Sequence, residues 1–391
     1  MAESAKSDSK IKQNISHPRF WKFCFILFLC ALALPLSPQT HSTVINTLAD
    51  AYIQVSTFVA ATLLLFYLLE RKAGFDLSAI LKKHEKWQVP IAALMGALPG
   101  CGGAIIVITH YVTGRLSFGA MVAVLTATMG DAAFLLIAKE PSTALKVIVI
   151  SITAGIITGL LADRIHGRDF MAPSKLKPDE IIDLPDTNKL NYHRAITMIW
   201  YLCLLPGLGL GIAYAIQYDF GTSALSQIIP YFGAFCALLS LSLWALLDEK
   251  GSTMINMLAH PACREHTDLT HRTMFETSFV TAWVVMAFLV FELGTLWLQI
   301  DLEAVFKTHA ILVPLIAALV GFIPGCGPQI IVTTLYLAGI VPFAAQIANA
   351  ISNDGDALFP AIAMAPRTAI LATIYTGIPA LLIGYGFYFY G

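Results

Sequence analysis

The chain has 391 residues, of which 57% are hydrophobic and 13% charged, and its formal net charge is -1. This balance excludes a soluble globular protein and predicts a polytopic membrane protein. The near-neutral charge provides no basic face for phosphates, so nucleic acid is excluded as a partner. The seven cysteines are scattered, mostly within apolar runs, which does not fit a secreted disulfide framework.

The chain divides into two transmembrane halves. A polar cytoplasmic tail (1–19) is expected before the first half (20–163), and a basic cytoplasmic linker (164–194) before the second (195–391), which includes a cytoplasmic loop (248–275). Apolar runs of the length that spans a bilayer, about 20 residues, lie near 20–37, 51–69, 117–138, 143–163, 195–217, 226–247, 277–298, 343–364 and 368–389.

Two further apolar runs, 89–113 and 310–338, each contain the same tetrapeptide near the middle. The first reads Pro99, Gly100, Cys101, Gly102, and the second Pro324, Gly325, Cys326, Gly327. Proline and glycine remove helical hydrogen bonds and stability. Each run is therefore predicted to break into two half-helices.

The tetrapeptides belong to an internal repeat. A Gly-Asp pair follows each about 30 residues later, Gly130-Asp131 in one copy and Gly355-Asp356 in the other, and the two copies align without a gap. The predicted repeat units are about 57–163 and 282–388.

Loop charge predicts how the two copies are oriented. The loops 70–88, 164–194 and 248–275 are basic, and they share the cytoplasmic side only if both tetrapeptide runs fold back as re-entrant hairpins. The loop 299–309, equivalent to 70–88, keeps only Lys307, as expected if it faces the other side. The predicted fold is an all-α polytopic membrane protein with two inverted repeats, each containing a re-entrant hairpin and a broken transmembrane helix.

The candidate binding residues are those whose burial in a membrane is costly or whose position is repeated. Glycines 130 and 355 let the helix unwind beside an aspartate, and Asp354 adds a further carboxylate. Less central ionisable groups are Glu292 and His110. The predicted metal ligands are Cys101, Asp131, Cys326, Asn353, Asp354 and Asp356, with Gln329, Glu292 and Ser352 as additional polar or coupling residues.

This ligand set predicts a cation as the bound species. Oxygen ligands alone suit Mg²⁺ or Ca²⁺, whereas added sulfur favours a transition metal. Oxygen outnumbers sulfur and histidine is absent from the motifs, so Mn²⁺ or Fe²⁺ fits better than Zn²⁺ or Cu⁺. The structural alternative is that the cysteines are small apolar core residues and the aspartates are salt-bridged.

One loop contains a second group of ligand-type residues. Its spacing matches no standard zinc site, so a solvated loop is expected, with metal delivery or sensing as the alternative. The residues are His260, Cys263, His266 and His271.

The doubled tetrapeptides, Gly130-Asp131 and the segment 353–356 resemble a bacterial family of ten-transmembrane heavy-metal exporters. That family includes manganese exporters and is distantly related to arsenic efflux permeases. The resemblance implies export of Mn²⁺ from the cytoplasm across the inner membrane, with the metal as cargo and no resident cofactor. The family description counts ten spans, whereas the loop charges predict nine crossings and two hairpins.

Export of a divalent cation from a negative-inside cell costs about 4.6 kcal/mol per 100 mV, so it requires an energy source. The sequence contains no Walker A motif, and proton antiport through Asp131 and Asp356 is the hypothesis. The expected partners are the cargo metal, protons and the lipid bilayer, and the oligomeric state, a homodimer included, stays open.

Two rival functions remain. Cys101 and Cys326 alone would suffice for a trivalent arsenical, which binds thiols. An intramembrane aspartyl protease using Asp131 and Asp356 is the enzyme alternative. It is disfavoured because 128–131 and 353–356 do not read Gly-x-Gly-Asp.

Overall fold

The computed structural model describes residues 18–32, 37–73, 85–112, 114–168, 170–171, 190–215, 218, 220–221, 224–247, 269–298 and 310–390. Within these ranges all regular secondary structure is helical, as predicted. Six helices are long and apolar enough to cross a membrane, or seven if a bent pair forms one span. Many large apolar side chains on them are exposed, Leu202 and Val290 at 72% each among them, as expected for lipid contact.

Two of the helices before the first repeat motif, the second and the third, form one long rod. Helix α1 covers Pro18–Leu32, and α2 covers Pro38–Asp50. Helix α2 continues through a π-helical turn, Ala51–Ser56, into α3, Thr57–Ala73. The membrane-spanning part runs from Pro38 to Leu69, so it begins well before the predicted run 51–69.

The first copy of the repeat then folds as four short helices and one long helix. They are α4 (Gln88–Gly96), α5 (Gly102–Val112), α6 (Phe118–Ala127), α7 (Ala132–Lys139) and α8 (Pro141–His166). Helices α6 and α7 meet at a 42° bend over residues 128–131, so the predicted break lies at Gly130-Asp131. Helices α4 and α8 pack on α6.

Three long helices follow, namely α9 (Leu190–Ala215), α10 (Ala224–Leu247) and α11 (Leu269–Leu298), and the predicted second repeat unit begins within α11. Helix α11 begins eight residues before the predicted run 277–298. It packs on α3, α10 and the π-helical turn, and so closes the side of the protein next to the first copy.

The second copy repeats the helix boundaries of the first at an offset of 225 residues. It comprises α12 (Val313–Gly321), α13 (Cys326–Leu337), α14 (Phe343–Ser352), α15 (Leu358–Met364) and α16 (Pro366–Tyr390). Helices α4 and α12 have nine residues each, about 14 Å of helix, which is too short to cross a hydrocarbon core of about 30 Å. Three of the nine predicted crossings are not among the six long spans: 20–37, where α1 has 15 residues, and the two broken runs 117–138 and 343–364.

Candidate metal-binding site

A backbone hydrogen bond joins the tip of the first hairpin to the break in the neighbouring span. Gly100 has a left-handed backbone, with φ of 89°, and its N–H donates to the carbonyl of Gly130 at 3.1 Å. The equivalent hairpin glycine, Gly325, also has a positive φ, 119°. A residue with a Cβ rarely adopts these angles, which explains the glycine beside each cysteine.

The two motif cysteines meet at the centre of the protein. Cys101 and Cys326 lie at equivalent positions of the two copies, and their Sγ atoms are 3.3 Å apart. Both side chains are buried, and neither forms a disulfide bond. Their separation is well above the length of a disulfide bond, about 2.05 Å. Each copy of the repeat therefore contributes one sulfur to a single thiol pair.

The glycines of the two broken spans line this thiol pair. A Cβ added to Gly130 would lie 2.7 Å from Sγ of Cys326, and one added to Gly355 would lie 3.2 Å from Sγ of Cys101. The sequence pointed to Cys101 beside Asp131 and Cys326 beside Asp356. The thiols lie together, and Sγ of Cys101 is close to both glycines, since it would be 3.4 Å from a Cβ on Gly130, the residue before Asp131.

Two amide side chains of the second copy border the thiol pair. Asn353 Nδ2 donates to Gln329 Oε1 at 2.5 Å, and both residues are fully buried. The same Oε1 atom would be 3.4 Å from a Cβ on Gly130, so it lies next to the sulfurs. Gln329 Nε2 has no hydrogen-bond partner among the described residues. Rotation of the Gln329 amide exchanges its oxygen and nitrogen, so either can face a bound cation.

The predicted carboxylates do not all converge on the thiols. Asp131 borders a cavity of about 50 Å³, shared with Gln54, Phe58 and Tyr214, that has room for a few waters. Asp354 is directed to α16, where its Oδ2 accepts from Thr373 Oγ1 at 2.5 Å. The side chain of Asp356 lies outside the described part of the structure.

The remaining predicted residues lie farther from the centre. Ser352 is fully buried, and its hydroxyl donates to the carbonyl of Asn349 at 3.2 Å. Glu292 is half-buried on α11, where its charge interacts with that of Asp50. Of the four ligand-type residues of the loop, His271 lies on α11, and His260, Cys263 and His266 lie outside the described residues.

The sequence analysis missed two polar groups, one half-buried and one buried. Asp50 lies in the middle of the long helical rod, and its Oδ1 accepts from Gln54 Nε2 at 2.6 Å. The i, i+4 spacing of Asp50 and Gln54 is the signal that identifies them. Arg272 and Glu276 form the second group, an ion pair with 2.9 Å between Nε and Oε1 near the start of α11.

The centre of the protein thus contains two thiols and two amides beside unwound backbone. Among the described side chains, no three of His, Cys, Asp and Glu come together as a metal site. Thiol groups with amide and backbone carbonyl oxygens form a mixed sulfur and oxygen environment. Such an environment suits a transition metal better than a purely hard cation such as Mg²⁺.

Residues 39–391 match the model of the ArsP_2 family, described as "Putative, 10TM heavy-metal exporter". The chain belongs to this family. The match includes both repeats and the thiol pair between them. Comparisons with curated proteins and with solved structures give no match.

Membership in this exporter family confirms the resemblance inferred from the doubled motifs. It indicates a multi-pass membrane transporter that exports heavy metals, and not an enzyme. The metal is accordingly the cargo that the protein moves, and the family itself does not specify which metal it is.

Proposed function

We propose that this exporter carries a divalent transition-metal cation, with Mn²⁺ as the preferred cargo, and that the cargo binds between Cys101 and Cys326. The thiol pair, formed by equivalent positions of the two copies at 3.3 Å, is the observation that carries this proposal. The amide oxygens of Gln329 and Asn353 and the carbonyls of the broken spans supply the harder ligands that Mn²⁺ requires.

Carboxylates would complete the site during transport. Asp131 and Asp356 follow the glycines that touch the thiols, so a small rotation of either broken span would bring a carboxylate to the cargo. In this proposal protonation of these groups releases the metal, and proton antiport supplies the energy. The cavity beside Asp131, lined in part by Gln54 and Tyr214, supports access of water to that carboxylate.

Export of a trivalent arsenical or another thiophilic species is the second candidate. The observation in its favour is the same close thiol pair, because within the described residues no carboxylate joins the sulfurs. An arsenical bound by two thiolates needs no oxygen ligand. The two candidates therefore differ in whether oxygen ligands are required.

Growth and cellular metal content of a deletion strain test the proposal on a panel of Mn²⁺, Fe²⁺, Zn²⁺, Cd²⁺ and arsenite. We expect accumulation of Mn²⁺, restored to normal by the wild-type gene but not by Asp356→Asn or Asn353→Ala. A thiophilic cargo would be identified by a different result: Cys101→Ser and Cys326→Ser lose resistance, whereas Asp356→Asn and Asn353→Ala keep full activity.

A matched control comes from a second set of buried thiols. Cys203 and Cys236 contact each other within the apolar core formed with α9 and α10, away from the helix breaks. Cys203→Ala and Cys236→Ala are expected to retain export of the cargo. Loss of export in these variants to the same extent would mean that cysteine replacement acts through packing, which would contradict the proposed site.

A further inference from the structure

The carboxylate of Asp354 belongs to a different group of residues from the thiol pair. It is 1% exposed, and it lies against α16, on which Thr373 donates to its Oδ2. Within the described residues it has no basic partner. A buried carboxylate without a basic partner is costly, so it is stabilised either by protonation or by a bound cation.

One oxygen of this carboxylate has no hydrogen-bond partner. The second oxygen, Oδ1, is fully buried and accepts no hydrogen bond. The hydroxyl of Thr376 also lies near the carboxylate. However, that hydroxyl donates to the carbonyl of Thr373 at 2.9 Å. Because a hydroxyl has a single proton, Thr376 can donate to only one of these two acceptors at a time, and its oxygen keeps lone pairs for a ligand.

The end of α14 adds further negative potential at this point. Helix α14 ends at Ser352, two residues before Asp354, and the last carbonyls of a helix lack intrahelical partners. These carbonyls represent the negative end of the helix dipole. In transporters with broken helices, such C-terminal ends and unwound carbonyls coordinate Na⁺ or H⁺.

We propose that Asp354, Thr373, Thr376 and the C-terminal carbonyls of α14 form a binding site for Na⁺. All the ligands are oxygen atoms, which suits a hard cation, and one carboxylate balances one positive charge. A bound cation would contact Oδ1 of Asp354 and the hydroxyl oxygen of Thr376.

The site exists only in the second copy of the repeat. The positions equivalent to Asp354, Thr373 and Thr376 are Met129, Ile148 and Ser151, which include no carboxylate. Asp354 is adjacent to Asn353, whose amide borders the thiol pair. Bound Na⁺ would therefore fix the position of the broken span, and with it the Asn353 amide of the cargo site. This use in transport rests on the proposed function, whereas Na⁺ binding itself does not.

Thermal unfolding of the full-length chain, purified in detergent without heavy metals, tests the site. NaCl, KCl and choline chloride are compared at equal ionic strength and constant pH. We expect NaCl alone to raise the unfolding temperature, and Asp354→Asn to abolish this shift. Thr376→Val should increase the Na⁺ concentration for half-maximal stabilisation by about tenfold, the lower range for weakened metal ligation.

The control is Thr126→Val, which removes a fully buried hydroxyl that is bonded to its own helix at the carbonyl of Val122. It should keep the Na⁺ response of the wild type. An equal effect of choline, or an unchanged Na⁺ response in both Asp354→Asn and Thr376→Val, would overturn the proposal. Thr376→Val preserves shape, so it gives an answer even where Asp354→Asn does not fold.

The double variant Cys101→Ser/Cys326→Ser separates this proposal from the proposed function. It should lose metal export and keep the Na⁺ shift, because the thiols are not ligands of this site. Loss of the Na⁺ shift in this variant would contradict a separate site. A wild-type Na⁺ response with full metal export in the double variant would refute the cargo site alone.

Discussion

At the level of single residues, each helix break requires glycine for two reasons. Gly130 has φ of 52° and Gly355 has φ of 56°, both in the left-handed region. Each also has its Cα hydrogen turned toward a sulfur atom, because an added Cβ would lie within about 3 Å of one. The backbone conformation and the space beside the thiols both require glycine.

Gly130→Ala is expected to abolish metal export. The new Cβ would be 2.7 Å from Sγ of Cys326, which pushes the thiols apart, and the left-handed backbone adds about 1–2 kcal/mol of strain. Cellular metal content measures export, and the amount of folded protein in the membrane is measured in parallel.

The control for backbone strain alone is Gly339→Ala. Gly339 also has a left-handed backbone, with φ of 73°, but an added Cβ would meet no atom within 4 Å. This variant should keep export despite similar strain. Equal loss of export in both variants would show that contact with the thiols is not the reason for glycine at position 130.

The sequence was sufficient to select these glycines and cysteines but not to pair them. Repetition of Cys101 as Cys326 indicated a shared function, and the glycine before each aspartate predicted the breaks. Which side chains meet depends on how the copies pack, and a constant offset contains no such information. For that reason the contact between the two cysteines appeared only in the structure.

At the level of helices, a buried polar triad joins α3 to α11. Arg272 forms an ion pair with Glu276, and its guanidinium lies 4.0 Å from the centre of the Tyr67 ring. The hydroxyl of Tyr67 donates to the other carboxylate oxygen of Glu276. All three residues are less than 10% exposed. This triad couples the long helical rod to the helix that precedes the second copy.

Arg272→Met should destabilise the protein by about 3–5 kcal/mol, because it leaves the carboxylate of Glu276 buried without its cation. The double variant Arg272→Met/Glu276→Met should recover much of this loss, since neither charge is then buried. Denaturant unfolding in detergent measures both. A double variant no more stable than Arg272→Met would contradict this account.

The same helices show where sequence analysis was limited. The sequence located every helix break, and the copies have matching boundaries because the same prolines and glycines recur. It missed the first part of the long rod, where Gln39, His41 and Ser42 reduce the hydropathy of α2. Packing on α10 and α11 overrides that composition, and Asp50 is consequently found inside a span rather than before one.

At the scale of the whole molecule, contacts between equivalent positions join the two copies. Besides the thiol pair, Thr281 Oγ1 donates to Ser56 Oγ at 2.7 Å, and these residues are also 225 positions apart. Contacts between identical positions are typical of a twofold relationship. Whether the two copies are inverted across the membrane stays a prediction from the loop charges.

Lys82 and Lys307 occupy equivalent loops, so inverted copies place them on opposite sides of the membrane. With Cys263 replaced by alanine, Lys82→Cys and Lys307→Cys are treated in intact cells with a thiol reagent that cannot cross membranes. Only Lys307→Cys is expected to react, because the basic loop 70–88 is predicted to be cytoplasmic. Reaction of both positions from the same side would refute the inverted repeat.

Because the two sulfurs come from equivalent positions, neither half of the chain contains a complete site. Expressed alone, each half would present one thiol at an uncovered surface and would have no metal to carry. Two identical halves could form the pair only by dimerising in opposite orientations. The joined chain removes that requirement, and it lets the two halves differ. One has Asn353, Asp354 and Gln329, whereas the equivalent positions of the other are Thr128, Met129 and Ala104, none of which is an amide or a carboxylate.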